Sequence, residues 1–252
     1  MIIHYFCQKI KNANHPVKAY ILILFTFFLC CTPISAQDNV VVNYLQHAGD
    51  YAEIYNGRLE EIYNVVLYEN FPYYMNDEFT DASIVYRNNY YPNQKVRLDL
   101  YREQLIVLPP ENRHGIILSS QNVQKVMMYG KTFVWLTPAK ESGLKAGYYI
   151  QLLDREKMKL FSKETCSLEK NQLEKNQFTY DFSHKIRYYL FYNNQYYPVK
   201  NKNLFLKLFP QHKKQINQFA KNHKLNFKKN ADESFTSLAG YCEELITSTN
   251  KQ

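Results

Sequence analysis

The chain has 252 residues, with 31 Lys+Arg against 23 Asp+Glu and 46% apolar residues, including 23 tyrosines and 16 phenylalanines. That apolar share excludes collagen-like, low-complexity and fully disordered chains, which have too little to bury. The length suits one domain of about 200 residues, or two small ones.

Residues 1–36 carry Lys9, Lys11 and Lys18 and no acid, then an apolar run from Ala19 to Cys31, then the small residues Ser35 and Ala36. A basic region, a short apolar core and a small-residue exit are the pattern of a secretory signal peptide. The run falls short of the roughly 18–20 apolar residues that span a bilayer. Cleavage is expected after Ala36, which places the mature chain in the periplasm or associated with the envelope. Its two cysteines, Cys166 and Cys242, do not make a disulfide framework.

From Gln37 onwards the sequence reads as antiparallel strands. Asn56-Gly57, between Ala52–Tyr55 and Arg58–Ile62, predicts a two-residue hairpin. Ala82–Tyr86 is expected to turn through Asn88-Asn89 into Gln94–Tyr101, where Val96, Leu98 and Leu100 alternate with Lys95, Arg97 and Asp99. Further strands are expected at Gln104–Leu108, Gly115–Leu118, Val123–Met128, Thr132–Thr137, Tyr148–Leu153, Lys157–Phe161, Lys185–Tyr192 and Gln195–Val199. Residues 167–177, with their LEKNQ repetition, read as an exposed hairpin loop or linker. The segments are too short, and the end of the chain too helical, for an integral membrane barrel.

The last fifty residues change period. Pro210 suits a first helical turn, followed by Ile216, Phe219, Ala220 and His223 at helical spacing. Asn230 with Glu233 resembles a capping box, and Phe235, Leu238, Ala239, Cys242, Leu245 and Ile246 form an apolar stripe. The expected fold is therefore mainly β with a C-terminal helical pair (α+β): an antiparallel meander forming a sandwich or open barrel. The divisions are 1–36 signal peptide, 37–200 β-rich domain and 201–252 helical hairpin packed on it.

Charge is uneven. Residues 37–81 hold nine acids against Arg58, whereas residues 182–231 hold eleven Lys+Arg and no acid. Attraction between these two regions, or plain solvated faces, is the expectation. No nucleic-acid motif accompanies the lysines, so nucleic acid is not an expected partner.

Five tyrosine doublets occur, and neighbours on a strand point to opposite faces. Tyr90, Tyr91, Tyr196 and Tyr197 are candidate surface contacts for a glycan or protein, although strand cores favour tyrosine anyway. Arg97 and Asp99 share a strand face, where a surface ion pair worth under about 1 kcal/mol is expected. His47 and Asp50, the carboxylate pairs Glu60/Glu61 and Asp77/Glu78, and Cys166 with His184 lack any local motif for acid/base, metal or thiol chemistry. No catalytic residue, metal site or cofactor is predicted.

Asp50-Tyr51-Ala52 with Tyr55-Asn56-Gly57, then Arg97 through Glu103 with Leu105, resemble a group of exported proteins from Bacteroidota. So do Tyr196 through Lys200, Leu208-Phe209-Pro210 and Lys213-Lys214. The resemblance implies export into a Gram-negative envelope and carries no reaction. The expected role is a non-catalytic binding or scaffolding domain with an envelope protein or glycan as partner. The alternatives are a glycan-binding module using exposed tyrosines, and a hydrolase whose acids converge only in three dimensions.

Overall fold

A computed structural model describes residues 35–49, 52–64, 70–111, 114–138, 142–174 and 177–249. The chain divides into two units, residues 1–40 and 41–252. Of the first, only 35–40 is described, as the start of helix α1 (Ser35–Ala48). The expected cleavage point after Ala36 falls in its first turn, and the apolar run before it lies outside the described residues. In the second unit, α1 packs Val41, Leu45 and Ala48 onto the main core.

Among the described residues, eleven strands form one antiparallel sheet. They are β1 (Arg58–Leu59), β2 (Thr80–Tyr86), β3 (Asn89–Asp99), β4 (Gln104–Leu108), β5 (Ile116–Ile117), β6 (Val123–Met128), β7 (Lys131–Leu136), β8 (Gly147–Asp154), β9 (Met158–Glu174), β10 (Gln177–Tyr192) and β11 (Gln195–Val199). Their order is β1-β5-β4-β3-β2-β6-β7-β8-β9-β10-β11. The mainly-β class with C-terminal helices is as the alternation predicted. The sheet does not close, so it is not a membrane barrel, which would have no edge strands. Among the described residues no helix is long and apolar enough to cross a membrane.

Three connections are two-residue turns with positive φ at both positions: Arg87-Asn88 (49° and 65°), Tyr129-Gly130 (52° and 67°) and Asn193-Asn194 (49° and 59°). Primed turns of this kind match the twist of the strands they join. The first lies one residue earlier than expected, because Tyr86 pairs with Asn89.

The hairpin predicted across Asn56-Gly57 does not form. Glu53–Tyr55 is a single 3₁₀ turn with Ile54 and Tyr55 both buried, and β1 pairs with β5 instead. Gly57 does not take a positive φ. It is needed for closeness, since a Cβ there would collide with the Ile117 carbonyl and lie 2.8 Å from the Ile116 side chain.

Residues 167–174 are a second correction. They are strand, paired to residues 177–183 in the far half of the β9–β10 hairpin, which carries a register shift at Gln177/Phe178.

Alternation supplies the first core: Ile84 and Tyr86, Val96 and Leu98, Leu105 and Val107, Val126 and Met128, Tyr148 and Ile150. A bulge between Gln151 and Leu153 ends this pattern on β8, and Leu152 touches both cores. The second core joins Met158, Leu160, Leu190 and Val199 of the sheet to the helices α2 (Asn203–Leu208), α3 (Lys213–Asn222) and α4 (Ala231–Thr249). Ile150 pairs with Ser162, and Leu160 shares the face of Ser162, so both cores lie on one side of the sheet.

Helix α4 begins straight after Asn230, and Asp232 and Glu233 in its first turn complement the positive end of the helix. It buries Phe235, Leu238, Ala239 and Cys242 as its stripe predicted. The short helix α2 carried no clear sequence signal. Cys166 and Cys242 are both free thiols.

Candidate functional site

The β8–β9 turn, the β10–β11 turn, the Pro210–His212 3₁₀ turn and helix α4 meet around two adjacent clefts. One, of about 550 Å³, is lined by Lys157, Tyr192, Asn193, Asn194, Gln211 and His212 among others. The second, of about 560 Å³, lies beside Arg155, Glu243 and Glu244, and Glu156 lines both.

Helix α4 is tied to the β8–β9 turn by polar contacts. Glu243 Oε1 accepts the Lys157 backbone N–H at 2.7 Å, and Arg155 donates to Glu244 at 3.2 Å and to the Gly240 carbonyl at 3.3 Å. Arg155 lies over Gly240, where a Cβ would crowd its guanidinium at 3.3 Å.

Two deeply buried side chains here keep unused hydrogen-bonding capacity. His212 is 8% exposed and its Nδ1 lies 2.8 Å from Gln215 Oε1. With Nδ1 taken by Gln215, Nε2 is left without a hydrogen-bond partner. Glu243, 6% exposed, likewise has Oε2 without a hydrogen bond, 3.8 Å from Arg155 Nε. Unsatisfied buried groups cost about 1–3 kcal/mol each. The surrounding Asn193, Asn194 and Gln211 amides can donate and accept and the Lys157 ammonium can donate, beside the apolar surface of Phe191, Tyr192 and Ile246.

The other concentrations of polar side chains are largely satisfied from within, with Arg97 Nε the one buried atom among them that lacks a partner among the described residues. Arg97 reaches Glu60 at 2.7 Å and the Asp77 carbonyl at 2.5 Å, with its guanidinium over the rings of Tyr73 and Phe79. Asp99 is 1% exposed. It accepts the backbone N–H groups of Tyr101 and Arg102 and the Tyr63 hydroxyl at 2.7 Å. The surface ion pair expected between Arg97 and Asp99 therefore does not form: both are drawn inward to different partners, because Glu60, Tyr63, Tyr73, Asp77 and Phe79 cover this face of β3. Burial raises the Asp99 carboxyl above the usual carboxylate range, against the opposing pull of those donors.

Glu103 and Lys163 meet at 2.5 Å, and Glu103 also accepts the Tyr148 N–H at 3.0 Å. Burial raises the Glu103 pKa and lowers that of Lys163. Gly147 makes the space: at φ 152°, a Cβ there would collide with the Lys163 ammonium and the Glu103 carboxylate.

Cys166 and His184 are register partners on β9 and β10, a pairing no local motif announced. Burial, with Asp99, Glu164 and Asp181 adding to it, pushes the Cys166 thiol up to about 12. Such a thiol holds its proton at neutral pH and is a poor nucleophile. His184 is held between Glu164 and the Phe71 carbonyl, each at 3.0 Å. His47 caps the Asn43 carbonyl within α1 at 2.7 Å, while Asp50 lies outside the described residues. Among the described residues no cluster of His, Cys, Asp and Glu could hold a metal ion.

The tyrosine doublets divide between faces as strand geometry requires. Tyr91 is 2% exposed in the first core, so it is not the surface contact proposed for it, while Tyr90 is half-buried on the other side. Tyr197 packs on the helical core. Tyr196 joins Phe161 and Phe191 with centroids at 6.2 and 4.7 Å, and Tyr149 continues this layer to Phe161 and Tyr189. These rings pack on one another edge-on or tilted, as a structural layer does.

The clefts escaped sequence reasoning because Lys157, Asn193, His212 and Glu243 come from four separate segments. The Asn193-Asn194 turn signal and the lone His212 beside Pro210 were the only traces. Comparison with protein-family models, with curated proteins and with solved structures found no match.

Proposed function

We propose that this chain is a non-catalytic binding domain of the bacterial cell envelope, exported by its N-terminal segment, whose ligand or partner docks in the clefts beside helix α4. The observation that carries this reading is that two buried polar atoms lining the clefts lack hydrogen bonds, whereas the third such atom among the described residues, Arg97 Nε, sits on a guanidinium already bound to Glu60 and the Asp77 carbonyl. Lys163, Glu103, Asp99 and His184 spend their polar atoms on one another and on the backbone. His212 Nε2 and Glu243 Oε2 do not. An unpartnered imidazole nitrogen among amide groups suits a ligand rich in hydrogen-bonding groups, such as a glycan or a peptide backbone. The high thiol pKa of Cys166 argues against thiol hydrolysis.

The test is retention of components from a Gram-negative envelope fraction by the purified chain and by a Gln211→Trp variant, which fills the cleft beside His212 from an exposed position. A glycan or protein retained by the native chain and lost by the variant supports the proposal. Equal retention by both, or turnover of chromogenic ester or glycoside substrates by the native chain, overturns it. Mass spectrometry of exported material reads the targeting half separately: a mature start at Gln37 is expected, and a start at Met1 refutes it.

A further inference from the structure

Among the described residues no ion pair joins the acid-rich segment to the basic one. Glu53 pairs with Arg87, Glu60 with Arg97, Glu61 with Arg102 and Asp81 with Lys95. The expected attraction between the two charged regions is thus spent locally. Residues 200–229 hold nine lysines and no acid. Among the described residues none of these lysines forms an ion pair, and all but Lys202 are exposed.

Helix α3 shows how they are arranged. At 100° per residue, Lys213, Lys214 and Lys221 fall within about 100° of one another, on an arc that starts beside the buried Ala220 and runs away from Ile216. Lys224 is exposed just beyond the helix, at a positive φ of 50°. Lys213 and Lys214 occupy the first turn, where the helix dipole favours acids and where none is present. The fold gains nothing from cations there.

We infer that the lysine-rich surface of residues 200–229 is a docking surface for an anionic phospholipid bilayer. The charges decide the partner class. After Arg187 the chain has no arginine, so the planar, bidentate recognition that marks nucleic-acid readers is missing. The aromatic rings of this segment are spent on the helical core, with Phe205 and Phe209 buried and Phe219 and Phe227 packed against them, which leaves no stacking platform for bases. Exposed point charges on flexible stems match a diffuse negative plane. This inference is independent of the clefts, since none of the nine lysines lines them.

The experiment is co-sedimentation of the mature chain, starting at Gln37, with vesicles of phosphatidylcholine alone and with 30% phosphatidylglycerol. At about 0.1 M salt, binding only to the anionic vesicles is expected, with loss at about 0.5 M as screening shortens the field. The variant K213Q/K214Q/K221Q/K224Q keeps the native circular-dichroism melt and weakens vesicle binding by roughly a hundredfold or more, at about fivefold per lysine. The control K145Q/K170Q binds as the native chain does. Equal binding to neutral vesicles, unchanged binding by the quadruple variant, or capture by heparin or single-stranded DNA without capture by anionic vesicles overturns the inference.

Discussion

The buried pair of Lys163 and Glu103 allows a quantitative test of how this fold handles charge. The Lys163 side chain is 5% exposed and that of Glu103 24%. Lys163→Met strands Glu103 with only the Tyr148 N–H at 3.0 Å. Removing one partner of a buried pair costs about 3–5 kcal/mol, and partial exposure places this variant near about 3. Glu103→Gln strands the ammonium against the Tyr148 carbonyl at 3.2 Å and the Tyr149 ring, so about 4 kcal/mol is expected. The double variant removes both charges and lies within about 1 kcal/mol of the native chain, because desolvation offsets most of the attraction in such pairs. Urea denaturation across the double-mutant cycle at pH 7 reads a coupling of several kcal/mol. The pH dependence has a definite sign. Burial holds the Lys163 pKa below its unfolded value, so its contribution is present above the unfolded pKa and lost as pH falls. The deficit of Glu103→Gln must therefore shrink as pH rises toward 10. Single-variant costs that add to the double-variant cost within about 0.5 kcal/mol would refute the reasoning.

Gly147→Ala should cost about 3 kcal/mol or more, from a backbone angle of 152° and collision with the same pair. Gly130→Ala, with open space around it, should cost only about 1 kcal/mol, and thermal melts of the two variants decide. Burial pushes the Cys242 thiol up to about 12 from an ordinary 9. Its stabilising contribution is thus complete below pH 9 and lost as pH rises through 12, so Cys242→Ala should flatten the alkaline decline of stability, by up to about 4 kcal/mol at the limit. Phe235→Ala, emptying a site 1% exposed, should cost about 3–5 kcal/mol in denaturant unfolding; a loss below about 1 kcal/mol would show that α4 is not anchored there.

The parts of the fold that alternation controls were legible. Gln104–Leu108, Val123–Met128 and Gln195–Val199 match their strands residue for residue. The stripe from Phe235 to Cys242 names its own buried face because a helix repeats it every turn. Asn56-Gly57 misled because glycine serves close approach as well as turns, and only the position of Ile117 distinguishes the two. Arg97 and Asp99 looked like surface residues because alternation reports which side a residue faces, whereas the covering segment comes from some twenty to forty positions earlier. The continuation of β9 to Glu174 was hidden by its polar composition, since a ribbon paired through its backbone needs no apolar alternation. Of the clefts, single letters such as His212 were visible, but their assembly was not.

Strand order also sets how the sheet comes apart. Every pairing joins strands consecutive in the chain except β1–β5 and β2–β6. Loop-closure entropy therefore weighs on those two seams alone, while the remaining ladder can zip from neighbour to neighbour. The β2–β6 seam, at Ser83–Met127 and Ile84–Val126, separates a wing built from β3 to β5 from another built from β7 to β11. Amide exchange under native conditions would then see two cooperative blocks that open independently and share this line as their common hinge.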